Sequence, residues 1–112
     1  MKQTLLFILT FLIITGCDKS KIVTDDWGDG RKVIKEYPNY KDTTTYLRKF
    51  YYPNGELGTK GKYVNGKMHG IWQWWYDNGQ LKDSGRYENG LQDGQFVHYH
   101  ENGNLKKFEI AG

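Results

Sequence analysis

Gly70-Ile71-Trp72-Gln73-Trp74-Trp75-Tyr76-Asp77-Asn78-Gly79-Gln80-Leu81-Lys82-Asp83-Ser84-Gly85-Arg86-Tyr87 is the stretch whose reading decides the fold. An Asn-Gly pair stands between two runs rich in rings and aliphatic residues. The pair recurs 24 residues to either side, at Asn54-Gly55 and Asn102-Gly103. Leu57, Leu81 and Leu105 keep the same step, as do Gly61 with Gly85, Tyr63 with Tyr87, and Gly70 with Gly94. A second series, Asn65-Gly66 and Asn89-Gly90, runs half out of phase with the first. A fixed period of this length marks a repeat architecture, and stacked repeats build surfaces more readily than active sites.

Asn-Gly flanked by such runs predicts a hairpin, because a type I′ turn needs positive φ at both central positions. With the first series at the turns, Phe50 is expected to face Thr59, Arg48 to face Gly61, Trp74 to face Asp83 and Trp72 to face Gly85. Tyr52, Tyr76 and His100 are expected to face Leu57, Leu81 and Leu105. The intervening turns pair Gly61 with Gly70 and Leu57 with Trp74, and both series agree on the pleat. The expected fold is all-β, an antiparallel meander of repeated β-hairpins. One face should be the core, carrying Phe50, Tyr52, Leu57, Tyr63, Trp72, Trp74, Tyr76, Leu81, Tyr87, Phe96 and Leu105. Gly61 and Gly85 on that face leave room for a large side chain to fold over the backbone. Residues 27–50 read as a degenerate first repeat, suited to capping the array.

The two ends are less regular. Lys2 followed by an apolar run from Leu5 to Ile14 is too short for the roughly 20 residues of a membrane-spanning helix and reads as a helical signal peptide over 1–16. Ile14-Thr15-Gly16-Cys17 resembles the lipobox of bacterial lipoproteins, which implies acylation of Cys17, the only cysteine. That resemblance places the protein in the bacterial cell envelope, with the membrane as a partner through Cys17. One acyl chain binds a membrane with K of only about 10⁴ M⁻¹, whereas two or more anchor stably. Residues 17–26 lack periodicity and are rich in charge, so they are expected to be a flexible tether before a repeat domain over 27–112.

Aligned at the Asn-Gly pairs, the units read Tyr52-Pro53-Asn54-Gly55-Glu56-Leu57 and Tyr76-Asp77-Asn78-Gly79-Gln80-Leu81. Each continues to a Gly-basic-Tyr element, Gly61-Lys62-Tyr63 or Gly85-Arg86-Tyr87. This resembles the MORN-repeat variant, clearly over about 46–107 and weakly over 27–45. The resemblance implies hairpin repeats and a binding role. A subset of such proteins, the YwqK-like antitoxins, is thought to neutralise a partner toxin, so a protein partner is implied and a toxin is one version of it. The third unit departs from the pattern at His98, His100 and Phe108.

Chemistry is sparse. Ser20 and Ser84 are the only serines, and no paired carboxylates stand at a reactive spacing. The glycines follow the hairpin period rather than a phosphate loop. No enzyme, cofactor or metal is expected. His98 and His100 share one face and could hold a metal only with a third ligand, for which Glu109 is near in register but on the last strand and His69 is in a turn about a strand away. Without Lys2, 15 basic residues stand against 13 acidic, a net +2 in place of +3, which argues against nucleic acid. The face opposite the core repeats Tyr51, Trp75 and Tyr99 at the 24-residue step, about 10 Å apart with one strand between. Lys60, Lys62, Lys82 and Arg86 flank them. Rings with cations suit a protein hot spot or a stacked glycan, the latter making an envelope scaffold on peptidoglycan. The same rings are equally expected if this face is partly covered by sheet twist or by the first repeat. A self-assembling structural protein, joined through open strand edges, is the further alternative.

Overall fold

A computed structural model of the chain describes residues 19–111. The expected signal peptide and Cys17 lie outside the described residues. Eight strands follow one another: β1 (Lys21–Asp26), β2 (Lys32–Tyr37), β3 (Thr45–Tyr51), β4 (Leu57–Val64), β5 (Lys67–Trp75), β6 (Leu81–Glu88), β7 (Leu91–Tyr99) and β8 (Leu105–Ala111). Each pairs antiparallel with the next, so one eight-stranded sheet runs in sequence order. This is the all-β meander that the Asn-Gly period predicts.

β1 corrects the reading of a tether over its own residues, Lys21–Asp26. Lys21 opposes Tyr37 and Asp26 opposes Lys32, with every residue between them paired in step. The Lys19 carbonyl also accepts the Tyr40 N–H at 2.6 Å. The run shows no period because an edge strand exposed on both faces has no buried side to pattern. Its backbone ladder holds it instead.

The two series of turns differ in kind. Asn65-Gly66 and Asn89-Gly90 have positive φ at both residues (52° and 76°, 51° and 83°), the tight reversal expected. In the other series only the glycine is left-handed, at 88°, 88° and 89° for Gly55, Gly79 and Gly103. Gly55 N–H donates to the Tyr52 carbonyl, and Tyr52 N–H to the Glu56 carbonyl, both at 2.9 Å. That is a three-residue loop, a type I turn closed by a left-handed glycine, in place of the expected type I′ turn.

The longer loop changes one register. Phe50 opposes Thr59 as expected, but Tyr51 opposes Leu57, leaving Gly58 as an extra residue. Lys82 and Lys106 occupy that place where Trp75 opposes Leu81 and Tyr99 opposes Leu105. One inserted residue inverts the pleat. Leu57, Leu81 and Leu105, expected in the core, therefore stand on the opposite face. At the other end of the unit the register slips by two, from Lys62↔His69 to Lys60↔Gln73, around the left-handed Gly70. A slip of two preserves the pleat, so Trp72 and Trp74 keep their expected face, although Trp74 opposes Thr59 rather than Leu57.

That face closes on itself. Tyr37, Tyr46, Tyr63, Trp72, Trp74, Tyr87, Phe96 and His98 form an unbroken series of ring contacts, with centroids 5.1–6.3 Å apart. Trp72 and Phe96 are each 2% exposed and Val33 3%. The Trp72 indole lies over Gly61 and donates its N–H to the Lys62 carbonyl at 3.1 Å, while the Phe96 ring lies over Gly85. A Cβ at either glycine would overlap the ring above it. With one layer of strands among the described residues, rings laid flat on backbone take the place of a second layer.

Candidate functional site

The opposite face carries Tyr51 on β3, Trp75 on β5 and Tyr99 on β7, all half-buried. Leu57, Leu81 and Leu105 interleave with them on β4, β6 and β8, through the inverted pleat just described. The result is a stripe of alternating ring and leucine across the end of the face next to the three-residue loops. The sequence reading found the rings and missed the leucines. Pro53 was the available signal, because a proline after Tyr52 presets the first central residue of a type I turn and so calls for the longer loop.

Side chains of one unit fix the stripe backbone of the next. Tyr52 Oη donates to the Trp75 carbonyl at 2.6 Å, and Tyr76 Oη to the Tyr99 carbonyl at 2.8 Å. Asn54 Nδ2 donates to the Asp77 carbonyl at 2.7 Å and Asn78 Nδ2 to the Glu101 carbonyl at 3.1 Å. Each asparagine also accepts the N–H two residues on, from Glu56 or Gln80. Burial, and then the Asp77 charge, push the Tyr52 hydroxyl above its ordinary pKa, which keeps it a donor.

The flanking cations divide. Lys60 and Lys62 are exposed on this face and make no ion pair among the described residues. Arg86 shares the face, opposite Ile71, but its guanidinium lies 3.5 Å from Glu88 and 3.6 Å from Asp93, so much of its charge is offset. Lys49, also on this face, is tied to Glu36 at 2.9 Å; that bond raises its pKa. Lys82 departs from expectation. As the inserted residue it swings to the ring-covered face, where its ammonium sits 5.7 Å from the Tyr76 ring centre. Apolar surface remains open beside the stripe at Ile71 (58% exposed) and Phe108 (51%).

His98 and His100 do not act together. His100 lies at the loop, where its backbone N–H donates to the Asn104 carbonyl. His98 sits between two carboxylates, with Nδ1 2.5 Å from Asp83 and Nε2 2.7 Å from Glu109. With both carboxylates ionised, only an imidazolium offers an N–H to each. The bond from His98, and then the Lys107 charge, hold Glu109 below the ordinary carboxyl pKa. The cluster joins β6, β7 and β8. Among the described residues, no three His, Cys, Asp or Glu are grouped to hold a metal.

Three segments of the chain, residues 47–65, 68–89 and 92–107, match the MORN repeat variant. Their spans follow β3–β4, β5–β6 and β7–β8. No curated protein and no solved structure matches the chain.

Proposed function

This chain belongs to the MORN repeat variant family, which suggests a repeat-based binding protein, and on that basis we infer that it is a lipid-anchored, non-enzymatic protein of the bacterial cell envelope that binds another protein. The partner docks on the ring–leucine stripe, with Lys60 and Lys62 at its margin. In the specific version the partner is a toxin, which the protein neutralises by occupying its surface. The observation that carries the reading is the stripe itself: apolar side chains in a row, on an open face, with the Trp75 and Tyr99 carbonyls held by tyrosines of the preceding unit. Aromatic side chains beside unpaired cations have the composition of interface hot spots. Rings held in place lose little freedom on binding, which favours affinity.

The toxin version predicts a toxin-like protein encoded alongside, and co-expression of the two should restore growth with the wild-type chain. Trp75→Ala combined with Tyr99→Ala should abolish the rescue while leaving a cooperative melt. Absence of rescue by the wild type would remove the toxin version. Rescue that survives the double substitution would remove the stripe as the docking site. For the anchor, Cys17→Ser should move the protein from the membrane fraction to the soluble fraction, and an unchanged distribution would refute acylation.

A further inference from the structure

Both edges of the sheet are open among the described residues, and they are unlike. β1 ends in Asp25 and Asp26, whereas β8 begins with Leu105, Lys106 and Lys107. Ile22 on β1 and Ile110 on β8 are 67% and 75% exposed. Eight antiparallel strands in sequence order leave β8 antiparallel to β1, so a second copy in the same orientation continues the meander.

We propose that the chain associates with itself head to tail, β8 of one copy pairing antiparallel with β1 of the next. A single register satisfies every level at once. Opposing Ile110 to Ile22 sets Phe108 against Thr24, Glu109 against Val23 and Lys107 against Asp25. The faces agree. Lys107 and Glu109 lie on the ring-covered face, opposite His98 and Phe96, and Val23 and Asp25 lie on that face too, opposite Lys35 and Val33. Phe108, Ile110, Ile22 and Thr24 all fall on the other.

The backbone agrees as well. Trp27 N–H donates to the Arg31 carbonyl, so by the alternation of an antiparallel ladder Asp25 and Val23 bond to β2. Ile22 and Thr24 then turn their N–H and C=O groups outward. In the first unit Asn65 N–H donates to the Thr44 carbonyl, which makes Phe50↔Thr59 a bonded pair in the same ladder. His98↔Lys107 is the equivalent pair two repeats on, so Phe108 and Ile110 turn outward from β8. Outward residues meet outward residues, as strand addition requires. Pairing β8 with another β8 about Phe108 instead sets Lys106 against Ile110 and draws on Glu109, already held by His98. Because the two edges differ, the contact is heterologous, and each added copy exposes a fresh edge. The contact leaves the stripe open, so its failure and that of the binding reading are separable.

The test is sedimentation of the full chain in detergent, which masks the apolar run at 5–14, over rising concentration. The wild type should gain mass beyond one chain. Asp25→Lys with Asp26→Lys, and separately Lys106→Asp with Lys107→Asp, should each stay at the mass of one chain. An equimolar mixture of the two should regain the wild-type mass, because each basic edge then meets an acidic one. As a check independent of charge, Ile22→Cys and Ile110→Cys chains, both also Cys17→Ser, should form a disulfide-linked pair only when mixed. A wild type that stays single, a mixture that fails to associate, or Ile110→Cys linking to itself would each overturn the proposal.

Discussion

Gly61 and Gly85 show how single positions carry this sheet. Each lies beneath a ring, Trp72 over one and Phe96 over the other, with no space for a Cβ. Gly61→Ala must lift the indole and break its bond to the Lys62 carbonyl, so a loss of about 1–3 kcal/mol is expected from overpacking, read by denaturant melting. Gly85→Val should abolish the cooperative transition, and a normal melting curve would contradict the register. The ring it displaces is that of Phe96, its Cα partner on β7, rather than that of Trp72, its partner on β5. Tyr76→Phe removes a hydroxyl whose proton goes to the Tyr99 carbonyl. Its expected cost is about 0.5–1.5 kcal/mol, because that half-buried carbonyl then depends on water. Equal stability of the variant would argue that the inter-unit bond contributes nothing.

At the scale of the element, charge helps to hold β8. Its side chains are largely exposed, and His98 with Glu109 ties it to β7 beyond the backbone ladder. Glu109 is held below its ordinary pKa of 4.5 in the folded state. A depressed carboxyl pKa contributes stability that is present above the unfolded value and is lost as pH falls through the folded one. Amide protection in β8 should therefore fall on acidification through the carboxyl range, measured by hydrogen exchange. Glu109→Gln should flatten that dependence; an unchanged profile would show that the pair does not hold the strand. The inserted residue of each unit makes the opposite case. Gly58, Lys82 and Lys106 share one place in the ladder: the second and third units accept a lysine there, whereas a Cβ at Gly58 would stand 2.9 Å from the Phe50 and Tyr52 rings. Lys82→Gly should cost about 0.5–1 kcal/mol, because a glycine within a strand loses more freedom on folding, whereas deleting Lys82 should remove the bulge and leave Leu81 opposite Trp75.

Across the whole molecule, the two faces divide their work. Rings on one face pack against each other and against glycine backbone. Rings on the other stand half-open in a row, held from behind by tyrosine and asparagine side chains of the neighbouring unit. Truncating the two sides should therefore have different outcomes. Trp72→Ala should lower stability by about 3–5 kcal/mol, as for other buried aromatic residues. Trp75→Ala should cost less stability and more binding. Equal losses of stability would mean that the stripe belongs to the packing of the sheet rather than to a partner. Because each unit contacts only its neighbours, stability should scale with the number of intact units.

The sequence by itself determined the repeat, the antiparallel order and the packed face, because a 24-residue step in Asn-Gly, leucine and glycine leaves few other ways to pair strands. It also placed Tyr51, Trp75 and Tyr99 together. Periodicity is a local signal, repeated until it is unmistakable. Only the tertiary structure decided which side Leu57, Leu81, Leu105 and Lys82 occupy, since that turns on one extra residue next to a loop, and a shift of one inverts the pleat. The same limit hid β1, whose residues carry no pattern because neither of their faces is buried. Its place comes from hydrogen bonds to β2, a partner that composition does not reveal.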